Sequence, residues 1–354
     1  VRNAEPYQEL FQQVERPFIL YLALLLHDSG KATQRRHHER DSVTLARRVA
    51  KRLRLDGTTS HILELLVEHH LAMVQISQRR DLDDPVVVRH FAALVQTPRT
   101  LNKLTLHTLA DSLGTSDKLW NGFKDSLLLT LQRKALAELS GASPFIRVEE
   151  RERELLLEEV IRLLPDGIQL GEVQAHFGTL PARYFLIHTA PEIIGDLALT
   201  NRFMRQLLRD DPQGPLAPVI EWTDEPDRGC SRVKICTWDR AGLFSKLAGS
   251  CTAAGLNILS AQVFTRRDRI ILDAFDVTSA RSGLLATPEE KEKFKQLFGK
   301  SLMGALDFEP LIARQKIVNP LYQSYTGERI ATEIAFDNHS ADTRTVVDVQ
   351  TEDR

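Results

Sequence analysis

The spacing of apolar residues changes once along this 354-residue chain, and that change constrains the fold more than any other feature. From residue 17 to about 139, apolar residues recur at helical spacing, as at Ile62, Leu65 and Leu66. After Gly229 the pattern predicts the order strand, helix, strand, strand and helix, at 232–237, 243–254, 257–265, 270–278 and 288–298. Because a chain of this length holds two or three domains, we expect an all-α domain followed by an α+β domain.

Prolines and a partial internal repeat set the predicted boundaries. Prolines interrupt a weaker periodicity ahead of Gly229, as in a connector. Strand-like runs at 332–336 and 345–350 follow, and the second leads into Asp-Arg, as the strand at 233–238 does, so we expect a second copy that is cut short. The predicted division is a helical domain over 1–165, a connector over 166–228, an α+β domain over 229–310 and the truncated start of a second copy over 328–354.

Composition argues against several classes of partner. The formal net charge of -2 and the isoelectric point near 6.6 give no basic field for duplex nucleic acid. The longest apolar run, 18–26, covers only about half of the ~20 residues that a membrane helix requires. No secretory signal opens the chain, and the three cysteines lack metal-type spacing, which suits a reduced, cytoplasmic setting. We therefore predict neither a nucleic-acid nor a membrane partner.

Histidines and aspartates recur in an order that predicts a metal site in the helical part. Imidazole and carboxylate donors together suit Mn, Mg, Fe or Zn rather than a soft-metal thiolate site. These residues stand among apolar neighbours, where a buried charge is costly unless it is paired or binds a metal. A single histidine or aspartate on a helix is usually structural, whereas an ordered set is more specific. The predicted metal ligands are His27, Asp28, His38, His69, His70 and Asp111.

Three short segments around these residues carry a family resemblance. The first, 24–31, contains His-Asp-Ser-Gly-Lys, and the second, 68–81, contains a histidine doublet and then an arginine pair. The third is Ala110-Asp111. Together they resemble the HD-domain phosphohydrolases, and more particularly the uridylyl-removing domain of the bifunctional enzymes that modify the PII signalling protein. The similarity continues through 180–185 and covers nearly the whole chain.

The resemblance implies a phosphodiester hydrolase. The substrate would be uridylyl-tyrosine on the uridylylated PII protein, and the product released would be UMP. A first divalent metal would be held by His27, Asp28 and Asp111, and Asp111 would be catalytic. The resemblance also implies a second metal, held with the help of His38, His69 and His70.

Basic residues near these ligands are implied to act in catalysis by binding the phosphate. They are Lys31, Arg79 and Arg80, and arginine suits this role because its planar fork matches phosphate oxygens. A basic pair on a helix is otherwise a solvated face. Three departures from the family follow. A histidine one helix upstream of His27 is expected to precede Val1, and a nucleotidyltransferase domain is absent from the pattern. Ser29 stands where a bulky apolar residue is more usual, which leaves the ligands untouched.

The α+β part contains a turn suited to an anionic ligand. The segment 238–244 places a strand end, a turn and a helix start together, and the free amides of a helix N-terminus favour a carboxylate. With the strand start at 256–258, it resembles an ACT domain of ferredoxin-like βαββαβ fold, which implies glutamine as the effector. In the alternative, Gly242 only permits the turn and Asp239 only caps the helix. The implied glutamine-binding residues are Asp239, Arg240, Gly242, Leu243, Asn257 and Ile258.

Two other functions fit parts of the pattern. A guanosine-tetraphosphate hydrolase also joins HD and ACT domains, although it carries other domains between them that do not fit within 166–228. A catalytically silent module would use its helical half only to dock PII. Metal analysis separates a hydrolase from a docking module, because only the hydrolase requires a stoichiometric divalent metal.

Overall fold

Two compact units make up the structure. The computed structural model describes residues 4–33, 38–115, 120–141, 149–207, 217–304, 306–313, 331–338 and 345–350. The first unit comprises Val1–Phe145 and Glu333–Gln350, and the second comprises Ile146–Thr332 and Thr351–Arg354. In the described residues the first unit is helical apart from one hairpin, and the second combines helices with a sheet. The predicted succession of an all-α part and an α+β part is therefore confirmed.

The first unit has eight helices in its described residues. In chain order they are α1 Glu5–Gln12, α2 Phe18–Leu26, α3 His38–Arg52, α4 Gly57–Glu68, α5 Ala72–Arg79, α6 Pro85–Val95, α7 Pro98–Thr115 and α8 Gly122–Leu139. The Asp56 side chain caps α4 by accepting from the Thr59 backbone N–H at 2.9 Å. A short 3-10 helix, Ser29–Thr33, follows α2. None of the described helices combines the length and the apolar character needed to cross a membrane.

α7 lies at the centre of the first unit. It packs against α1, α2, α4, α5, α6 and α8, and its ten successive residues 100–109 are all buried. Leucines of α7 join the main apolar cluster together with residues of α2 and α4. A polar side chain on such a helix needs a partner inside the core, because no water reaches it. This position buries His107 completely and leaves Asp111 partly exposed.

Helices cover both faces of the sheet in the second unit. Its elements are α9 Glu149–Arg162, α10 Leu170–Thr179, α11 Ala182–Ile187, α12 Ala190–Leu207, β1 Val219–Glu225, β2 Cys230–Trp238, α13 Leu243–Ala254, β3 Leu256–Thr265, β4 Ile270–Ser279, α14 Pro288–Leu302 and α15 Glu309–Ala313. The strands pair antiparallel in the order β1-β2-β4-β3. α13 and α14 bury Val233, Ile235 and Phe275 on one face. α9 to α12 bury Phe264 and Leu272 on the other.

The unit boundaries differ from the predicted ones. α9 lies within the predicted helical domain 1–165, but it packs with α10, α11 and α12 in the second unit. The region 166–228, predicted as a connector with some structure of its own, contains three helices and β1. Two of its helices are short, since α10 has ten residues and α11 has six, whereas α12 has 18. The α+β unit therefore begins well before residue 229.

One edge of the sheet departs from the predicted βαββαβ order. The strands predicted at 232–237, 257–265 and 270–278 correspond to β2, β3 and β4, and the two predicted helices correspond to α13 and α14. No described residue after α14 adds a strand to this sheet. Instead β1, which precedes the predicted domain, pairs with β2 and occupies that edge. An upstream strand thus satisfies the backbone groups that a last strand would have covered.

A hairpin confirms the two strand-like runs predicted near residues 332–350. Its strands are β5, Glu333–Asp337, and β6, Val346–Gln350, paired antiparallel. The hairpin resembles the pair β1 and β2, since in both cases the sequence after the second strand reaches an Asp-Arg dipeptide. The second dipeptide, 353–354, lies outside the described residues.

Candidate metal centre

His27 and Asp28 stand at the end of α2, where the chain leaves the core. The His27 backbone N–H donates to the Ala23 carbonyl at 2.8 Å and so closes the last turn of the helix. The His27 ring Nδ1 lies 2.8 Å from the Leu24 carbonyl. Because a carbonyl oxygen only accepts, Nδ1 carries a proton and Nε2 is left to face the carboxylates. Nε2 is 3.3 Å from Asp28 Oδ2 and 3.2 Å from Asp111 Oδ1.

His70 follows α4 and is oriented in the same way. Its side chain is 1% exposed, and its Nδ1 lies 2.9 Å from the Val67 carbonyl. Nε2 therefore points inward and lies 3.7 Å from Asp28 Oδ1. The rings of His27 and His70 are edge to face, with centroids 5.0 Å apart. Imidazoles from two helices thus present the same nitrogen to the carboxylate of Asp28.

We refer to His27, Asp28, His70 and Asp111 as the inner cluster, and its charges favour a cation. The hydrogen bond with Asp111 raises the pKa of His27 above its ordinary value, although partial burial opposes this shift. The same bond lowers the pKa of the Asp111 carboxyl. Burial lowers the pKa of His70, so its imidazole is neutral at neutral pH. The Lys31 ammonium lies 2.5 Å from Asp28 Oδ2 and supplies a positive charge at the exposed side.

The donor set of the inner cluster suits a divalent metal ion. Imidazole and carboxylate donors bind an ion such as zinc at ~2.0–2.2 Å, which places neighbouring donors about 3 Å apart. The contacts of 3.2, 3.3 and 3.7 Å within the cluster are close to that spacing. Across the described ranges, however, no three histidine, cysteine, aspartate or glutamate side chains already enclose one ion position. The pairwise distances suit one ion, whereas direct ion pairs with His27 and Lys31 draw the carboxylates away from a common centre.

Other predicted site residues lie outside the inner cluster. His69 is half-buried and burial lowers its pKa, but in the described residues no ion pair or ring contact joins it to the cluster. His69 and His70 both follow the last residue of α4, and in the described residues only His70 pairs with the inner cluster. Arg79 is exposed, and Arg80 Nη1 lies 3.6 Å from Asp348 Oδ2 of β6. The His38 side chain lies outside the described residues. The metal role of His38 and the phosphate role of the arginines stay predictions.

A further histidine, His107, lies against the inner cluster and was not among the predicted ligands. Its ring centroid is 5.2 Å from that of His27 and 6.3 Å from that of His70. Burial lowers the pKa of His107 to about 4, and the charges of the two neighbouring histidines add to the effect. The sequence held one signal for it, because a spacing of four places His107 and Asp111 on the same face of a helix.

The predicted glutamine-binding turn has a backbone that leaves amide groups free. Gly242 precedes α13 with φ +73°, a left-handed conformation that glycine adopts without strain from a β-carbon. No side chain caps this helix start in the described residues. The Asp239 backbone N–H donates to the Arg269 carbonyl at 2.7 Å, and Leu243 is buried. The Leu243 backbone N–H already donates to the Arg240 carbonyl at 3.1 Å, so an anionic ligand at this helix start has the following amides of α13 to bind.

The side chains around this turn differ in burial and in hydrogen bonding. Arg240 Nη1 donates to the Leu302 carbonyl at 3.4 Å, whereas the buried Nη2 of Arg240 has no hydrogen-bond partner in the described residues. Asn257 is exposed and Ile258 is half-buried at the start of β3, where their backbones pair with β4. Of the predicted glutamine-binding residues, Arg240 alone has a buried polar atom with unused bonding capacity in the described part of the chain.

A separate set of buried polar groups lies between the sheet of the second unit and its covering helices. The buried Tyr184 hydroxyl donates to Asp196 Oδ2 at 2.7 Å, and Lys234 Nζ donates to Asp196 Oδ1 at 2.6 Å. His176 Nε2 lies 3.1 Å from the Tyr184 oxygen. Because the tyrosine proton goes to Asp196, His176 must be the donor in this last bond. An unbroken series of hydrogen bonds therefore runs from His176 to Lys234, which is typical of a structural network.

Comparison with known proteins assigns the helical unit to a domain family. Residues 4–113 match the HD domain family, and this range contains the inner cluster and His107. No solved structure matches the chain.

The chain is also similar to longer proteins over most of its own length. It is 29% identical over 336 residues to the bifunctional uridylyltransferase/uridylyl-removing enzyme of Ruegeria pomeroyi, which covers 95% of this chain and 36% of that protein. It is 34% identical over 271 residues to the enzymes of the same name from Burkholderia mallei and Burkholderia pseudomallei, covering 76% of this chain and 30% of each relative. The chain thus spans about a third of the length of the curated relatives it matches.

Proposed function

Starting from the HD domain, we propose that the protein is a metal-dependent phosphodiester hydrolase of the uridylyl-removing type. Its substrate is uridylyl-tyrosine on the PII signalling protein, and its products are UMP and the free tyrosine. One observation carries this proposal: four imidazole and carboxylate side chains lie within 3.7 Å of a neighbour in the cluster, although they come from the ends of α2 and α4 and from α7. They are His27, Asp28, His70 and Asp111, and all lie within the residues that match the HD domain family. The names of the relatives support the choice of the uridylyl bond.

The inner cluster supplies the groups that such a reaction needs. His27 and His70 offer Nε2 to a divalent ion such as Mn, Mg, Fe or Zn, and the backbone carbonyls at their Nδ1 atoms hold both rings in that tautomer. Asp28 and Asp111 add negative charge. A bound ion polarises the phosphoryl group and makes a water molecule more acidic. Lys31 is 61% exposed, so its ammonium is able to move from Asp28 to an incoming phosphate oxygen.

Intact mass spectrometry of uridylylated PII tests this proposal. After incubation with the chain and Mn²⁺, each PII subunit is expected to lose the mass of one UMP. Asp111→Asn keeps the size of the side chain but removes its charge, and we expect the rate to fall by at least ~100-fold. Glu9→Gln, at an exposed position of α1 in the same unit, is the matched control and is expected to retain the wild-type rate.

Failure of the wild-type chain to release UMP would contradict the proposal for this chain, and two further measurements then test the two alternatives. Release of pyrophosphate from guanosine tetraphosphate would replace the PII substrate with a nucleotide while keeping the metal-dependent chemistry. Binding of PII by a chain that retains no stoichiometric metal would instead support a docking module. Elemental analysis of the same samples makes the distinction, because catalysis by the inner cluster requires the ion.

We also propose that the α+β unit is an ACT domain and that glutamine regulates the hydrolase through the turn before α13. Support comes from the uncapped start of α13 and from the unpartnered Nη2 of Arg240, since both favour a carboxylate. Calorimetric titration with glutamine tests this, and Arg240→Gln is expected to weaken binding at least tenfold, or by ~1.4 kcal/mol. Arg281→Gln, at an exposed position of the same unit, is the control. Equal affinity in both variants would remove Arg240 from the site.

A further inference from the structure

His107 is a buried imidazole whose bonding capacity the fold does not use. Its side chain is 0% exposed, and neither ring nitrogen has a hydrogen-bond partner in the described part of the chain. The Ala23 carbonyl is close enough to raise the pKa of His107 slightly, but it does not accept a well-formed hydrogen bond from the ring. Leaving a buried donor or acceptor unpaired destabilises the folded state, so this position calls for an explanation.

A purely structural role does not account for this arrangement. Histidines placed in a core for stability normally make at least one hydrogen bond, as His176 does with Tyr184. His27 and His70 likewise bond a backbone carbonyl through Nδ1. A leucine of similar size would fill the space at 107 without an unpaired polar atom. The imidazole at this position is therefore suited to a partner that is not part of the chain.

We propose that His107 is a further ligand of the ion held by the inner cluster, an inference that rests on the metal-dependent function proposed above. The ring contacts both His27 and His70, and Asp111 follows four residues later on the same helix face. No hydrogen bond has to break for the ring to turn a nitrogen towards the ion. Three imidazoles with two carboxylates favour zinc, iron or cobalt over magnesium and manganese, which prefer oxygen donors.

Titration with Co²⁺ tests His107 independently of catalysis. Co²⁺ reports its ligands through visible absorption bands, and its affinity is measured in the same experiment. We expect His107→Leu and His107→Gln to weaken Co²⁺ binding at least ~10-fold and to change the bands, with a smaller effect on Mn²⁺ affinity. His90→Gln, at an exposed position of α6, is the matched control and is expected to bind Co²⁺ as the wild type does.

The outcomes separate this inference from the proposed function. If the wild type binds Co²⁺ and releases UMP while both His107 variants keep the wild-type affinity and bands, His107 is not a ligand and the hydrolase proposal stands. If the wild-type chain binds no divalent ion, both proposals fail. Circular dichroism establishes that each variant is folded, and His107→Gln provides the test if His107→Leu does not fold.

Discussion

Two fully buried histidines, His107 in the first unit and His176 in the second, differ in what surrounds them. Burial lowers the pKa of both, to about 4 and about 3. His176 donates to Tyr184, which donates to Asp196, and only its Nδ1 is left without a partner. In the described residues His107 has no partner at either nitrogen, yet its ring lies against two histidines that face the carboxylates of Asp28 and Asp111.

The hydrogen-bond network around His176 stabilises the fold by itself, whereas the inner cluster with His107 is suited to binding a ligand. The series in the second unit ends on the ammonium of Lys234, so the chain itself neutralises the buried carboxylate of Asp196. In the inner cluster the imidazole nitrogens and carboxylate oxygens converge, and Lys31, which faces them, is largely exposed. Closed networks need no added group, whereas a convergence of lone pairs becomes favourable when a cation enters.

Breaking the closed network is expected to have the largest effect on stability. Asp196→Ala leaves the Lys234 ammonium and the Tyr184 hydroxyl without their acceptor. Loss of one partner of a buried ion pair costs ~3–5 kcal/mol, and because Lys234 retains some exposure we expect about 3 kcal/mol in the free energy of unfolding. Proteolysis in urea, with fragments assigned by mass, measures the second unit separately from the first.

The double replacement of Asp196 by Leu and Lys234 by Met is the control for this prediction. It removes both charges together, and apolar side chains of similar volume often replace a buried ion pair without loss of stability. We expect it to recover most of the free energy lost in Asp196→Ala. A double variant as unstable as the single one would show that packing around Asp196, rather than its charge, stabilises the unit.

Changes of pH are expected to weaken the two units in opposite directions. His107 has a pKa near 4 when folded and 6.5 when unfolded, so the unfolded chain takes up the proton first and the first unit loses stability as pH falls from 6.5 to 4. Burial raises the pKa of Asp273 from 3.8 to about 7. The stability that this carboxyl contributes to the second unit is therefore lost as pH rises from 3.8 to about 7. Between pH 5 and pH 7.5 each group is expected to change the free energy of unfolding by roughly 2–3 kcal/mol.

Two variants isolate these contributions in the metal-free protein. His107→Leu is expected to flatten the acid loss in the first unit, and Asp273→Asn is expected to flatten the loss at higher pH in the second. Urea unfolding of each unit at pH 5 and pH 7.5 provides the comparison. A wild-type pH profile that persists in either variant would assign the effect to the other titrating groups of that unit.

The sequence predicted the long regular elements of both units well. α2, α4 and α7 each repeat an apolar face or a continuous apolar run, and β2 and β4 lie in the middle of the sheet, where apolar residues dominate. α10, α11 and β1 escaped prediction because they are short or lie at an edge, so packing against the sheet decides their structure. The 18-residue α12 was missed as well, and its length does not explain why. No local signal in the sequence records that packing.

The candidate site was predictable only as far as charge and motif extend. His27, Asp28, His70 and Asp111 approach one another, and all four belong to the ordered set of histidines and aspartates that predicted a metal site. His107 was missed because a lone histidine in an apolar helix usually belongs to the core. His107 differs from a core histidine because neither of its ring nitrogens has a hydrogen-bond partner among the described residues. The sequence alone does not reveal this difference, since it depends on which groups surround the ring.

Replacing each buried histidine by leucine is expected to change stability least, and it tests directly whether the fold uses His176 but not His107. In the metal-free protein, His107→Leu replaces an unpaired polar ring with an apolar side chain and is expected to raise the free energy of unfolding by ~1 kcal/mol. His176→Leu removes a donor from Tyr184 and is expected to lower it by ~1–2 kcal/mol. Proteolysis in urea measures both. If both variants lose the same free energy of unfolding, the imidazole of His107 stabilises the fold as much as that of His176 does. The contrast between the two histidines would then be wrong.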